Sequence, residues 1–71
     1  MSERLVDARG QSCPWPVIRL ARAARDLGGP GRIRLLADDP IAPGEVAALC
    51  VERGWTLAEQ GGTFVVDTGK P

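Results

Sequence analysis

The chain has 71 residues, of which 44% are hydrophobic and 25% charged, a composition typical of a small folded domain rather than a disordered segment. A domain of this size has one compact core, so the length excludes a large enclosed substrate cavity. Nine basic residues balance nine acidic ones, with a net charge of +4 over residues 1–34 and −4 over residues 35–71. Solvated charges of both signs explain this split; a basic docking surface for an acidic partner or RNA is the alternative.

The first predicted elements are a short strand at residues 4–7, a turn at residues 8–12 and a helix at residues 14–27. Within the helix, apolar residues recur at the spacing of a core-facing stripe, at Val17, Leu20, Ala21, Ala24 and Leu27. The sequence GGPG at residues 28–31 ends this helix. Four glycines match no phosphate-binding loop and are interpreted as turn residues: Gly10, Gly28, Gly29 and Gly31.

The second half of the chain predicts a strand, a helix and a hairpin. In residues 32–37, Ile33, Leu35 and Ala37 point one way and Arg32, Arg34 and Leu36 the other, which is typical of a strand with one covered face and the other at least partly wet. A helix follows at residues 42–53, with its apolar face near Ala42, Val46, Leu49, Cys50 and Arg53. Strands at residues 55–60 and 63–67 flank a Gly-Gly turn, and residues 68–71 are expected to form a disordered tail.

The element order βαβαββ predicts one domain over residues 1–71, an α/β two-layer sandwich. The mixed four-stranded sheet carries both helices on one face. We expect the first two strands to be parallel and the last two antiparallel, because only the last two are joined by a short hairpin turn. The open face of the sheet should present Arg32 and Arg34.

Cys13 is the candidate functional residue, because it lies outside any apolar stripe, at the start of the first predicted helix. The first amides of a helix have no helical partners and favour a thiolate, so the pKa of Cys13 is expected to be lowered. Pro14 and Pro16 stiffen this turn where a missing N–H is tolerated. The amides of Trp15 and Val17 are expected to face the sulfur.

The spacing around Cys13 excludes a dithiol oxidoreductase, because the second cysteine of a C-x-x-C motif is replaced by Pro16. The chain has no histidine, and its two cysteines form no metal-ligand pattern, so neither a metal nor a cofactor is expected. Cys50 lies on the apolar face of the second predicted helix and is interpreted as a core residue. A Cys13–Cys50 disulfide is the less favoured alternative.

Two acidic residues and two tryptophans are further candidates. Asp38 and Asp39 could form a carboxylate pair for acid–base chemistry, but the position predicts that they end a strand and cap the second helix or its leading turn. Trp55 is expected to be partly core. Trp15, between two prolines in a first turn, is a candidate for partner docking, together with Arg19 and Arg22 on the same helix.

The segments DARGQSCPWP, ADDP and RGW resemble the TusA-like (SirA-like) sulfur-carrier family, with its C-P-x-P motif, over about residues 5–67. The resemblance implies a βαβαββ sandwich and assigns Cys13 as the residue that carries sulfur as a persulfide. Asp7 and Gly10 match the usual lead-in, and Asp38-Asp39-Pro40 matches the later motif. Two positions depart from the family pattern: Gln11 stands where leucine is common, and Trp15 is unusual in the variable slot.

The implied activity is sulfurtransferase-type. Cys13 accepts sulfur from a cysteine desulfurase or rhodanese-like protein and passes it to an acceptor protein. The pathways served by the family are tRNA thiolation, molybdenum-cofactor work and sulfur oxidation. The absence of an apolar leader or membrane-length segment predicts a cytoplasmic protein, and no direct nucleic-acid or membrane binding is expected. Two alternatives remain: a non-catalytic interaction module and a thiol redox sensor.

Overall fold

A computed structural model describes residues 2–69. The predicted order βαβαββ is confirmed, and the elements are β1 (Ser2–Asp7), α1 (Trp15–Leu27), β2 (Gly31–Leu36), α2 (Ala42–Arg53), β3 (Thr56–Gln60) and β4 (Thr63–Asp67). The strands form one mixed sheet in the order β1-β2-β4-β3. As expected, β1 and β2 are parallel, whereas β4 is antiparallel to both β2 and β3.

Both helices pack on one face of the sheet and enclose a single core. The largest fully buried side chains come from both layers: Phe64, Leu20, Ile33, Leu35, Val46, Val66 and Pro16. The opposite face of β2 presents Arg34, which is exposed, and Arg32, which is half-buried. Arg34 forms a 3.3 Å ion pair there with Glu3 on the neighbouring strand.

The buried face of α1 differs in phase from the predicted stripe. Leu20 is buried, but the other fully buried positions of α1 are Pro16 and Ala23, and Val17 and Ala21 are only half-buried. A loop connects β1 to α1, and the sequence pattern does not show how that loop orients the helix. Periodicity therefore predicted the spacing of the apolar stripe but not its rotation toward the sheet. Pro16 therefore contributes to the core as well as to the stiffness of the first turn.

The β3–β4 hairpin turns through Gly61 and Gly62, whose φ angles of 57° and 84° fit the Gly-Gly dipeptide. The carbonyl of Gly62 accepts a 3.0 Å hydrogen bond from the amide of Ala37, so the hairpin tip is attached to the end of β2. A Cβ atom at Gly62 would lie 3.0 Å from the Ala37 carbonyl oxygen, which explains glycine at this position.

The disordered tail expected at residues 68–71 stays a prediction, and its first two residues form hydrogen bonds in the structure. The amide of Thr68 donates a 2.9 Å hydrogen bond to the carbonyl of Gly31, and the amide of Gly69 donates a 3.0 Å bond to the Asp67 carboxylate. The sequence shows no partner for the Thr68 amide, because β2 lies beside β4 only in the folded sheet. Lys70 and Pro71 lie outside the described residues. Among residues 2–69, neither helix is both long and apolar enough to span a bilayer.

Candidate functional site

The cysteine turn, residues 8–14, lies at the sheet edge where the parallel strands β1 and β2 both end. Its first residue is anchored to the neighbouring strand, since the amide of Ala8 donates a 2.8 Å hydrogen bond to the Leu36 carbonyl. Gly10 has a φ of 82°, and its amide donates a 3.0 Å bond to a carboxylate oxygen of Asp38. The peptide bond between Cys13 and Pro14 is cis. The turn is therefore attached both to β2 and to the loop that follows it.

Asp39 connects the cysteine turn to the start of α2. Its Oδ2 atom accepts a short hydrogen bond from the backbone amide of Cys13. Its Oδ1 atom accepts a 3.1 Å bond from the amide of Ile41, and its carbonyl accepts a 2.9 Å bond from the amide of Ala42. The prediction that one aspartate caps the turn leading into the second helix is confirmed.

The bond from Asp39 to Cys13 joins residues 26 positions apart and was missed by sequence reasoning. A signal for it was present, because loops that follow two adjacent parallel strands meet at the same edge of a sheet. An acidic residue in one loop can therefore accept the free amides of the other. The structure thus brings together the two motifs DARGQSCPWP and ADDP, which are far apart along the chain.

Asp7 and two arginines brace the entrance to the cysteine turn. Arg9 forms a 2.8 Å ion pair with Asp7, and hydrogen bonds from its side chain lower the Asp7 pKa from 3.8 to about 2. The guanidinium of Arg19 donates a 2.7 Å bond to the Asp7 carbonyl and a 3.2 Å bond to the side-chain oxygen of Gln11. Gln11, which departs from the family pattern, is therefore a hydrogen-bond partner of α1 in this chain.

The thiol of Cys13 is half-buried immediately before α1, whose N-cap residue is Pro14. Few amides remain near it, because the Trp15 amide donates to the Ser12 carbonyl at 3.0 Å and the prolines have no N–H. The Val17 amide takes no part in the hydrogen bonds of the turn among residues 2–69. Of the two amides expected to face the sulfur, that of Trp15 is therefore already hydrogen-bonded to the Ser12 carbonyl.

The expectation of a lowered Cys13 pKa is wrong. Partial burial of the thiol, the largest cause, raises the Cys13 pKa above its ordinary value of 9.0, and the negative charges of Glu45 and Asp39 raise it further. The expected amide cluster is depleted by two prolines and by the contact between the Trp15 amide and the Ser12 carbonyl. The surroundings of Cys13 therefore disfavour its thiolate relative to that of an ordinary cysteine.

Exposed apolar side chains lie beside the cysteine turn on both helices. Trp15 is 55% exposed at the first position of α1, and Ile18 is 41% exposed one turn later. Ile41, the N-cap residue of α2, is 58% exposed. Arg22 lines a shallow groove of about 290 Å³ with Ile18, Arg25 and residues of both helices.

The other cysteine and tryptophan occupy structural positions. Cys50 is 2% exposed within the core, as predicted, and its burial raises its thiol pKa. Both cysteines are free thiols. Trp55 is half-buried against the core, and the guanidinium of Arg53 lies 5.6 Å from the centre of its ring. The expectation that Trp55 is partly core is therefore confirmed.

Comparison with known proteins points to one family. Residues 4–66 match the family described as "Sulfurtransferase TusA". The sulfur carrier protein TusA of Pseudomonas aeruginosa is 36% identical over 58 residues, covering 82% of this chain and 73% of the relative. That of Pseudomonas putida is 32% identical over 66 residues, covering 89% and 82% respectively.

A solved structure shows the same fold. The crystal structure of a SirA-like protein from Desulfitobacterium hafniense has a TM-score of 0.78 and 29% sequence identity to this chain. The match covers 94% of this chain and 99% of the other. Family match, relatives and fold all lead to one assignment: this chain belongs to the TusA family of sulfur carrier proteins.

Proposed function

We propose that this protein carries sulfane sulfur as a persulfide on Cys13 and passes it from a donor protein to an acceptor protein. The observation that carries the proposal is that the chain has two cysteines, of which Cys50 is buried in the core and Cys13 is accessible in a braced surface turn. With no second thiol beside it, Cys13 has no intramolecular route to discharge a bound sulfur. Membership of a sulfur-carrier family supports the same role.

The loading step exchanges one sulfur atom without net oxidation. The Cys13 thiolate attacks the outer sulfur of a donor persulfide, R–S–SH, and a new S–S bond forms as the donor S–S bond breaks. The donor leaves as a thiolate and is protonated, while Cys13 has released one proton, so the products are Cys13–S–SH and R–SH. Discharge repeats this exchange with a thiol of the acceptor protein as the nucleophile.

The surface around the cysteine turn is the proposed docking site for donor and acceptor proteins. Trp15 provides an exposed aromatic anchor in the first turn of α1, close to Cys13 in the chain. Arg22 lines the shallow groove further along the same helix. Docking by Arg19 stays a prediction, and its hydrogen bonds to Asp7 and Gln11 give it a bracing role within the chain. Pro14, Pro16 and Val17 support the turn from which the sulfur is presented.

Donor candidates are a cysteine desulfurase or a rhodanese-like protein. Acceptors would belong to tRNA thiolation, molybdenum-cofactor or sulfur-oxidation pathways. The relay requires a reduced thiol between transfers, which fits a cytoplasmic location. No metal or cofactor takes part in the exchange, and the proposed partners are proteins rather than nucleic acid or membrane.

Mass spectrometry after incubation with a cysteine desulfurase and free cysteine tests the proposal. We expect a gain of about one sulfur atom on the peptide containing Cys13, removed by a reducing agent. Cys13→Ser should abolish the gain, and Cys50→Ala, the matched control, should retain it. Oxidation of Cys13 by peroxide without sulfur uptake would instead support a redox sensor. Full function of Cys13→Ala in its pathway would support an interaction module.

A further inference from the structure

A shallow groove between the two helices carries three arginines. Its volume is about 290 Å³, and we call it the arginine groove after its lining residues, which are Ile18, Ala21, Arg22, Arg25 and Arg53. It adjoins a depression of about 520 Å³ that shares Ala21, Arg25 and Arg53 with it and extends to Trp55. Among residues 2–69, no aspartate or glutamate lines either of them. Both therefore present positive charge to solvent.

The arginines of the groove have no acidic partner within residues 2–69. The ion pairs of this part of the chain involve other arginines: Arg4–Asp26, Arg9–Asp7 and Arg34–Glu3. The guanidinium of Arg53 lies 5.6 Å from the centre of the Trp55 ring, a contact that orients its charge without neutralising it. Three uncompensated positive charges on one surface favour an anionic partner.

The arginine groove continues an exposed stripe of α1 that begins beside the cysteine turn. Trp15 and Ile18 are exposed at the start of the helix, and Arg22 and Arg25 are exposed further along. Steps of three, four and three residues place these four side chains on one face of the helix. At 1.5 Å per residue, the stripe is about 15 Å long. It has an apolar end near Cys13 and a basic end away from it.

We propose that this stripe and the arginine groove bind an acidic segment of a partner protein in a defined orientation. An apolar side chain of the segment packs on Trp15, and its carboxylates pair with Arg22 and Arg25. The inference rests on the proposed carrier function for its biological role, because a segment bound in this way holds its protein at the end of α1 that carries Cys13. The ion pairs accelerate association and set the orientation of the partner.

A protein segment fits this surface better than single-stranded RNA does. Ile18, Ala21 and Ala24 give the arginine groove and the adjoining depression an aliphatic lining, whereas single strands bind by stacking their bases on aromatic rings. The Trp55 ring is half-buried and contacts Arg53, so little of its face is open for stacking. Aliphatic groups instead match the apolar side chains along one face of a peptide helix.

A synthetic acidic peptide tests the proposal on the purified chain. The peptide has about 15 residues, mostly alanine, with leucines at one end and glutamates at every third or fourth position of the remainder. NMR titration of the isotope-labelled protein would follow the backbone amides and the two tryptophan indole signals. Two comparison probes are the same peptide with lysine in place of glutamate and a single-stranded uridine oligonucleotide. A nitroxide label at either end of the acidic peptide would report its orientation.

We expect the acidic peptide to shift the signals of the stripe with a Kd below about 1 mM at low salt, and binding to weaken at least about fivefold at high salt. The lysine peptide should not bind. A nitroxide at the leucine end should broaden the Trp15 indole signal more than that of Trp55, and a nitroxide at the glutamate end should do the reverse.

The double variant Arg22→Gln/Arg25→Gln should weaken peptide binding at least about threefold, because one exposed ion pair contributes roughly 1.4- to 5-fold. The matched control is Arg32→Gln/Arg34→Gln, which removes the same charge from the open face of the sheet. Its Kd should lie within about twofold of that of the unmodified chain. Circular dichroism spectra matching the unmodified chain would establish that both variants are folded.

The proposal would be overturned by an acidic peptide that does not bind, by equal binding of the lysine peptide, or by equal weakening in the two double variants. Tighter binding of the oligonucleotide than of the acidic peptide at the same salt concentration would also overturn it, in favour of a nucleic-acid surface. The titration requires no sulfur donor. A failure of persulfide loading with intact peptide binding would thus reject only the carrier function, whereas loading without peptide binding would reject only this inference.

Discussion

Replacing Asp39 by alanine should loosen the cysteine turn and destabilise the whole domain. The substitution removes the acceptors for the amides of Cys13 and Ile41, which join the turn to the start of α2. Hydrogen bonds to a charged acceptor contribute about 1.5–3 kcal/mol each when buried. Because Asp39 is half-buried, water replaces part of this stabilisation, and we expect a total loss of about 1–3 kcal/mol.

Urea and thermal unfolding followed by circular dichroism measure this loss. In a domain of this size, the expected loss corresponds to a decrease in Tm of roughly 5–20 °C. Asp38→Ala is the control, because it removes an exposed carboxylate that accepts one bond from the Gly10 amide, and it should cost less than about 1 kcal/mol. Asp39→Asn retains one acceptor oxygen and should recover part of the loss.

Amide hydrogen exchange separates a local effect from a global one. The Cys13 amide should exchange at least tenfold faster in Asp39→Ala, beyond the change shown by core amides of β2. The reasoning would be refuted if Asp39→Ala unfolded within about 0.5 kcal/mol of the unmodified chain with an unchanged Cys13 exchange rate. In that case the bond between the two loops would follow from the fold without stabilising it.

Three further predictions concern the core, the ion pair and the thiol. Phe64→Ala should cost about 3–5 kcal/mol in urea unfolding, because the ring is fully buried, and a loss below about 1 kcal/mol would contradict the packing. Since the Asp7 pKa is depressed to about 2, its pairing with Arg9 stabilises the fold above the ordinary pKa of 3.8 and is lost as the pH falls through about 2. In NMR titration, Arg9→Gln should therefore move the Asp7 midpoint back toward 3.8, and an unmoved midpoint would reject the pairing. The rate of Cys13 alkylation by iodoacetamide should keep rising above pH 9, with Cys50 far slower in the native state, whereas a plateau below pH 8 would contradict the raised pKa of Cys13.

Local patterns in the sequence were sufficient to predict the order of the helices and strands and the position of the Cys13 thiol between a turn and a helix. The alternation in β2 and the glycines at the ends of both helices are short-range signals, and the observed bounds agree closely with them. The partial accessibility of Cys13 and the exposure of Trp15 followed from their place between a turn and a helix. The rotation of α1 toward the sheet was not contained in these signals, so Pro16 and Ala23 replaced Val17 and Ala21 as the buried positions.

The sequence by itself determined the sandwich architecture and the choice of Cys13, because hydrophobic spacing, turn residues and the lack of a second nearby thiol are all readable along the chain. Only the tertiary structure decided the surroundings of that thiol. Alignment of β1 with β2 brings Asp39 to the Cys13 amide across 26 positions, and no local pattern encodes that approach. A thiol's pKa depends on the charges and burial around it in space, and these are defined only once the two loops meet at one edge of the sheet.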